Sequence, residues 1–219
     1  MLAKLYSVTL EGIDGIICEV EVHISRGGFE KSLVVGLPDT AVRESTERVQ
    51  AAVTNSGYNY PTTKSVINLA PADVKKVGPA FDLPIALGVL ISTHAIESSN
   101  AKDFVIVGEL ALDGRVRPVN GVLSMAIAAK AKGFKNMLVP LENVREAAVV
   151  EDLEVIGVGS LTQAASFLSG KLALESTYVD IDKILDEASA YEVDFSDVKG
   201  QETVKRALTI AAAGGHNIL

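Results

Sequence analysis

The chain has 219 residues, a hydrophobic content of 48% and a formal net charge of −8, with a pI near 4.9. This length allows one large domain or one domain with part of another, and the charge argues against a basic nucleic-acid-binding face across the chain. The single cysteine, Cys18, excludes an internal disulfide and a multi-cysteine metal site, and we interpret it as a small core residue. The first residues hold no apolar signal-peptide core, and no run reaches about 18 apolar residues, so we expect a soluble, cytoplasmic protein.

The N-terminal part of the chain is predicted to form three strands. The first two are Leu5–Leu10 and Ile16–Ile24, and apolar and polar residues alternate in the second. His23 lies on the polar face of that strand, where we expect it to be solvated. A turn at Arg26–Gly28 leads to a third strand that ends at Val35. Strands joined by such short turns predict an antiparallel meander.

A helix and a fourth strand follow. Either Asp39 or Thr40 can cap the helix, because both side chains accept hydrogen bonds from free backbone N–H groups. Valines recur inside the helix at helical spacing, and Asn55–Gly57 ends it. Ser65–Leu69 is then predicted to be a strand.

The central stretch begins at the Gly78-Pro79 turn, because proline lacks an N–H and disfavours helix at the residue before it. Asp82 suits a helix N-cap and Pro84 suits the first helical turn. The run that follows, up to about His94, is apolar on every side and predicts a buried helix. Two interpretations stay open here: a plain core helix, or a helix whose N-terminus presents an anion site or a nucleophile.

Strands and helices alternate through the second half, which predicts a mostly parallel sheet there. The predicted elements are the strand Phe104–Val107, a hairpin turning at Asp113-Gly114, the helix Gly121–Lys132, the strand Asn136–Pro140, the helix Val144–Val150, the strand Leu153–Val158 and the helix Thr162–Leu168.

Two segments resemble Lon-type proteases. The turn Gly78–Asp82 resembles a Gly-Pro-Ser-Ala-Gly-like turn whose serine is the nucleophile, and Ala80 holds the serine position. The segment Gly114–Leu123 resembles Gly-Arg-Val-x-Pro-Ile-Gly-Gly-Leu-Lys, and Leu123 holds the position of the lysine base. Their separation, 123 − 80 = 43, matches the Lon arrangement. The resemblance implies that residues 1–170 form a Lon-protease-like domain, with an α+β fold whose second half is α/β-like. This fold is shared with a ribosomal small-subunit protein and GHMP kinases. The resemblance also implies that both members of the catalytic dyad are absent.

The C-terminal part has a different character. Residues 171–193 are acidic and predict an interdomain linker with one short helix, Ile181–Ala188. In residues 194–219 we expect a helix, Gln201–Ala213, followed by the first residues of a strand, His216–Leu219. A domain does not usually end as its first core strand begins, so we expect a second domain that is truncated.

This tail resembles the start of the AAA+ ATPase module in the magnesium-chelatase-related family, which includes bacterial competence-type proteins. The matching residues are Phe195, Asp197, Val198, Gly200, Gln201, Gly214, Gly215, His216 and Asn217. Near the front of the chain, Val34–Asp39 and Ala41–Ser45 also fit the family. The resemblance covers nearly the whole chain.

The resemblance implies that the intact protein binds and hydrolyses ATP with Mg²⁺, forms a homo-oligomeric ring such as a hexamer, and processes DNA, for example as a branch-migration helicase. It implies that Val198, Lys199, Gly200 and Gln201 border the adenine. The phosphate loop of the family is expected beyond residue 219, so this chain should bind ATP weakly or not at all.

Three alternatives stay open. A serine–lysine peptidase would need a hydroxyl beside a lysine of lowered pKa; Ser124 should point about 100° away from Leu123, and we expect Lys75 and Lys76 to be solvated. A magnesium-chelating enzyme is also conceivable, but the three histidines fall on unrelated elements and no metal site is predicted. A nucleic-acid-binding module would use the main basic concentration, which consists of Arg115, Arg117, Lys130, Lys132 and Lys135.

Overall fold

The computed structural model describes residues 2–25, 27, 32–98, 100–180 and 194–218. These residues form two compact units, Met1–Val179 and Asp180–Leu219. The first unit is mixed α/β, and its mostly parallel seven-stranded sheet has the strand order β3-β4-β2-β1-β5-β8-β9. The strands are β1 (Leu2–Glu11), β2 (Asp14–Ile24), β3 (Ser32–Val35), β4 (Ser65–Ala70), β5 (Phe104–Ile106), β6 (Glu109–Leu110), β7 (Val116–Arg117), β8 (Asn136–Pro140) and β9 (Glu154–Val158).

Helices cover both faces of this sheet and create two apolar cores. The first core lies under the first two helices, and the second lies under the third and fourth. The helices of the first unit are α1 (Thr40–Asn55), α2 (Asp82–Ser92), α3 (Val122–Ala131), α4 (Val144–Ala147) and α5 (Leu161–Leu168). Asp39 caps α1 by accepting the Val42 N–H at 2.8 Å. Of the two caps that the sequence allowed, Asp39 and Thr40, the structure therefore has the first.

The predicted meander is wrong for its third strand. β1 and β2 form the expected antiparallel hairpin, but β2 pairs next with β4, with Val20 opposite Leu69. Among the described residues β3 pairs with β4 alone and runs parallel to it, with Val34 opposite Ile67. The reason is that α1 connects β3 to β4, and a helical crossover returns the chain in the same direction. Arg26 and Gly28, from the predicted turn, lie outside the described residues.

The central helix confirms the main sequence prediction, because all 11 residues of α2 are buried. It lies close against the sheet: a Cβ added at Gly88 would come within 2.5 Å of the Val22 side chain. The predicted N-cap is wrong, however. Phe81 occupies the N-cap position without a side-chain bond, and Asp82 is the first helical residue. The carboxylate of Asp82 does not cap its own helix because Arg48, on α1, binds it instead.

The second half agrees with the predicted pattern. β1, β5, β8 and β9 run parallel, and β6 and β7 form the small antiparallel hairpin that turns at Asp113-Gly114. α4 is shorter than the predicted helix Val144–Val150.

The smaller unit contains a 3₁₀ turn at Phe195–Asp197 and a helix, α6 (Glu202–Gly214), which ends at Gly215 in a left-handed conformation, φ 62°. The predicted strand at His216 is wrong for the described residues, because His216–Ile218 have no strand pairing there and a strand needs a neighbouring strand. The predicted helix Ile181–Ala188 lies outside the described residues. In the part of the chain that the structure describes, no helix combines the length and apolarity needed to cross a membrane.

Candidate functional site

A cleft of about 240 Å³ lies at the turn before α2, where the small β6–β7 hairpin and the start of α3 approach that turn. Ala80, the residue at the position of a Lon nucleophile, forms part of its wall. The lining residues are Leu10, Val77, Gly78, Pro79, Ala80, Glu109, Pro118, Val119, Asn120 and Met125. Mostly apolar side chains, backbone groups, the carboxylate of Glu109 and the carboxamide of Asn120 therefore line the cleft.

Backbone hydrogen bonds hold the turn at Ala80 in place. The Gly108 N–H donates to the Ala80 carbonyl at 3.0 Å, and the Leu83 N–H donates to the Gly108 carbonyl at 3.0 Å. On the other side, the Gly78 N–H donates to Asp39 Oδ2 at 3.1 Å, with Gly78 at φ 81°. The turn geometry is thus fixed, although the methyl group of Ala80 offers no nucleophile.

The second dyad position lies apart from the cleft lining. Leu123 is in the first turn of α3, its N–H donates to Glu146 Oε1 at 3.0 Å, and its side chain is 38% exposed. Ser124 lines a different groove, together with Asp14 and Ile127, so it does not replace a nucleophile at Ala80. Ala80 lines the cleft, and so does Met125, two residues after Leu123. Leu123 and Ser124 do not line it.

An ion pair between the buried Asp82 and the partly exposed Arg48 supports the wall of the cleft, and the sequence prediction missed it. Arg48 Nε donates to Asp82 Oδ2 at 2.7 Å, and Arg48 Nη2 donates to Oδ1 at 3.0 Å. Asp82 Oδ2 also accepts the Leu110 N–H at 3.2 Å, which ties the start of α2 to the hairpin beside it. Burial raises the pKa of the Asp82 carboxyl, and the hydrogen bonds from Arg48 oppose that rise. The two partners are 34 positions apart in the sequence, so no local signal indicated the pair.

Lys76 is buried, which makes the prediction of a solvated lysine wrong at this position. Its ammonium donates to the Val74 carbonyl at 2.8 Å and to the Pro71 carbonyl. The Lys76 N–H donates to the Leu37 carbonyl, and the Lys76 carbonyl accepts the Asp39 N–H. These two bonds hold the Lys76 backbone in the interior of the first unit. Burial lowers the pKa of Lys76, yet its side chain does not line the cleft and is occupied by carbonyls. Lys75 remains exposed, as predicted.

Cys18 is buried in the first core, as the sequence predicted. Burial raises the pKa of its thiol, while the positive charge of Lys76 opposes the rise. A thiol whose pKa is raised in an apolar core is a poor nucleophile. His23 is exposed on the outer face of β2, also as predicted.

The predicted basic concentration is largely neutralised. Arg115 pairs with Asp113 at 2.8 Å, Arg117 with Glu109 at 3.2 Å, and Lys130 with Asp152 at 3.4 Å. Only Lys132 and Lys135 lack such an ion pair within the described ranges. Paired cations have less charge to offer to phosphates, so this surface does not favour nucleic acid.

Two protein-family models and several known proteins match this chain. The family described as "Subunit ChlI of Mg-chelatase" matches residues 20–143, and the family described as "Magnesium chelatase, subunit ChlI" matches residues 194–219. The competence protein ComM of Haemophilus influenzae is 38% identical over 221 residues, which covers 100% of this chain and 43% of that protein. The chain belongs to the magnesium-chelatase-related ComM/YifB family.

Other relatives agree. The protein YifB of Escherichia coli is 42% identical to this ComM/YifB-family chain over 209 residues, covering 95% of the chain and 40% of YifB. Lon protease 2 of Bacillus subtilis is 25% identical over 160 residues, covering 66% of the chain. The chain thus spans 43% of the length of ComM and 40% of that of YifB. The likeness to Lon is weaker, and it falls on the part that contains the cleft.

In this ComM/YifB-family chain, the second predicted site lies in the smaller unit. Val198, Lys199, Gly200 and Gln201 connect the 3₁₀ turn to α6 and are all exposed. Gly200 at φ 71° and Gln201 at φ 59° are both left-handed, so the backbone bends sharply there. No group of three His, Cys, Asp or Glu side chains in the described chain is placed to hold a metal ion.

Proposed function

We propose that this chain is the non-proteolytic N-terminal part of a magnesium-dependent AAA+ ATPase that acts on DNA in the cytoplasm as a homo-oligomeric ring, such as a hexameric helicase. Family membership supports the ATPase part. The word "competence" in the name of one relative supports the DNA part. The observation that carries the non-proteolytic part is the cleft at Ala80, whose lining residues include no hydroxyl, thiol or amine side chain.

The chemistry of peptide hydrolysis explains why this lining matters. A serine–lysine peptidase needs a hydroxyl nucleophile and an amine of lowered pKa within hydrogen-bonding reach. Ala80 cannot supply the first, and Leu123 cannot supply the second. We propose that the first unit keeps a Lon-like fold, shared with a ribosomal small-subunit protein and GHMP kinases. In this proposal residues 1–170 form that domain, residues 171–193 a linker and residues 194–219 the start of the ATPase domain.

The nucleotide part of the proposal rests on Val198, Lys199, Gly200 and Gln201, which would border the adenine. Phosphates of a nucleotide are held by a glycine-rich loop that ends in lysine and by the Mg²⁺ bound with them. The described residues of this chain contain no such loop. We therefore expect weak or no ATP binding by this chain alone, and Mg²⁺-dependent hydrolysis only in a longer family protein that includes the loop.

The first test measures cleavage of a fluorogenic peptide by the wild-type chain, by Ala80→Ser, by Leu123→Lys and by the double variant. We expect no cleavage by the wild type. Cleavage by the double variant alone would show that the ancestral geometry persists, whereas no gain would leave the likeness at the level of the fold. Cleavage by the wild type that co-elutes with the chain through successive purification steps would overturn the non-proteolytic assignment.

The second test uses a full-length ComM/YifB-family protein that begins with this chain. We expect Mg²⁺-dependent ATP hydrolysis that rises when branched DNA is added. Hydrolysis without any response to DNA would remove the DNA part of the proposal. Absence of hydrolysis with correctly folded protein would remove the ATPase part.

A further inference from the structure

Among the residues that the structure describes, one edge of the seven-stranded sheet is open. In the described chain, β3 has a single neighbouring strand, β4. The opposite edge is covered, because Thr177 bridges to β9 and its N–H donates to the Val155 carbonyl at 2.9 Å. An edge strand presents backbone N–H and carbonyl groups that another strand can pair with. The fold therefore covers one edge and leaves the other accessible.

The open edge carries apolar side chains where proteins usually place protective ones. Leu33 is 41% exposed and Val35 is 37% exposed at alternate positions of β3, and Leu37, which follows the bend at Gly36, is 54% exposed. In natural proteins, lysine, proline or a β-bulge in an edge strand commonly prevents that strand from pairing with another chain. The four residues of β3 are Ser, Leu, Val and Val, which include none of the protective types.

Backbone strain accompanies this exposed row. Leu37 has φ 55°, a left-handed conformation that bulky residues seldom adopt. Glycine adopts this backbone conformation without strain, but position 37 holds a leucine whose side chain is more than half exposed. Strain that is not offset by burial of the side chain is a reason to look for a role in binding.

A groove of about 400 Å³ runs between the open edge and α1. Its lining combines β3 residues with Arg43 and Thr46 of the helix. Arg43 is exposed and takes part in no ion pair within the described ranges of the chain. The groove thus offers a strand edge on one side and a free cation on the other.

We propose that β3 binds an extended segment of a partner polypeptide by strand addition. The free backbone groups of β3 require an extended chain, since a helix has already used its own N–H and carbonyl groups. Leu33 and Val35 select apolar side chains at alternate positions, because alternate residues of a strand share one face. Leu37 adds an exposed apolar side chain just beyond the end of β3. Arg43 selects a carboxylate, from a side chain or a C-terminus, in the groove. This site is separate from the cleft at Ala80 and independent of the proposed ATPase function.

The test uses nuclear magnetic resonance of the ¹⁵N-labelled chain titrated with a synthetic peptide of alternating valine and glutamate. We expect saturable shifts of the Ser32–Val35 amides. Arg43→Gln should weaken the affinity about tenfold, the scale of one charge-assisted hydrogen bond. Arg145→Gln removes another exposed arginine, far from β3 in the sequence, and should leave the affinity unchanged.

A second pair of measurements separates binding from folding. Leu37→Gly removes the strain together with the apolar side chain, so thermal stability should stay the same or rise while the affinity falls. The same peptide with N-methylated backbone should not bind, because it cannot donate to the edge. The proposal is overturned if the N-methylated peptide binds as well as the parent, if no shift saturates, or if the shifts lie outside β3 and α1. It is also overturned if Leu33→Lys abolishes a concentration-dependent dimer, since the occupant would then be a second copy.

Discussion

At the scale of single residues, Asp82 is the most consequential side chain of the first unit. It is the only buried carboxylate among the described residues. Its partners are the guanidinium of Arg48 and the Leu110 N–H, so one side chain joins α1, α2 and the β6–β7 hairpin. A buried carboxylate is tolerated only while such partners remain.

Removing Arg48 should expose that dependence. We expect Arg48→Met to lower the free energy of unfolding at neutral pH by about 3–5 kcal/mol, because it leaves Asp82 charged and unpaired in the interior. Arg43→Met is the matched control on the same helix, and it should change the free energy of unfolding by less than about 0.5 kcal/mol. Chemical denaturation of both variants measures the difference.

The pH dependence of the Arg48→Met defect has a definite sign. Burial raises the pKa of Asp82 above its ordinary value of 3.8, and loss of Arg48 raises it further. A carboxyl whose folded pKa is raised binds its proton more tightly when folded, so the variant gains relative stability at acid pH. The defect should be smallest near pH 4 and grow as pH rises through the raised pKa. A defect that is constant over that range would contradict the assignment.

Sequence reasoning succeeded and failed at this scale for physical reasons. A motif placed Ala80 at its turn, and the structure finds Ala80 in the cleft wall. Asp82 and Lys76 were misjudged because the partner of the first is 34 positions away, and burial of the second depends on backbone bonds to Leu37 and Asp39. Local propensity contains no information about such partners.

At the scale of elements, the step from β3 to α1 depends on Gly36. This residue has φ 101°, and a Cβ built there would lie 1.9 Å from the Leu69 carbonyl oxygen on β4. We expect Gly36→Ala to cost about 3 kcal/mol or more, because β3 would have to separate from β4. Thermal unfolding of the variant measures the loss.

Gly57 supplies the control for this prediction. It also has positive φ, 84°, but a Cβ there would meet nothing within 4 Å. Gly57→Ala should therefore cost only about 1 kcal/mol, the backbone cost alone. Equal losses at the two glycines would mean that close packing against β4 does not matter.

Elements with a strong local pattern were predicted well. The apolar run of α2 and the Asp-Gly turn of the small hairpin are both present. The pairing of β3 was not predictable from its neighbours, because an edge strand of four residues finds its place through α1 and β4.

At the scale of the whole chain, the first unit extends to Val179. Residues after 170 contribute to it: Thr177 covers the edge of β9, and Leu174 and Val179 pack against the two cores. A chain that ends at residue 179 should therefore be more stable than one that ends at residue 170.

We expect the difference to be about 2 kcal/mol from apolar burial and one hydrogen bond, or roughly 4–8 °C in Tm. Calorimetry on the two shortened chains measures it. In the chain that ends at residue 179, Thr177→Pro removes the N–H that donates to the Val155 carbonyl. This variant should therefore lose part of the extra stability of the longer chain. Equal melting temperatures would show that the segment after residue 170 behaves as a free linker, in agreement with the boundary predicted from composition.

The mostly parallel second half followed from alternation of strands and helices along the chain. The position of β1 did not, because alternation says nothing about which strand is central. β1 lies between β2 and β5, with Tyr6 opposite Val105.

That position has a consequence for how the protein is made. β1 leaves the ribosome before β5, so the side of β1 that pairs with β5 stays unpaired until Val105 has been synthesised. During translation the hairpin of β1 and β2 therefore has an open flank next to a growing chain of apolar residues. Contacts between distant parts of a chain form slowly, so the nascent protein has a period of vulnerability to wrong pairing. Slower translation before β5 would lengthen that period, and a chaperone that binds extended apolar segments would protect it.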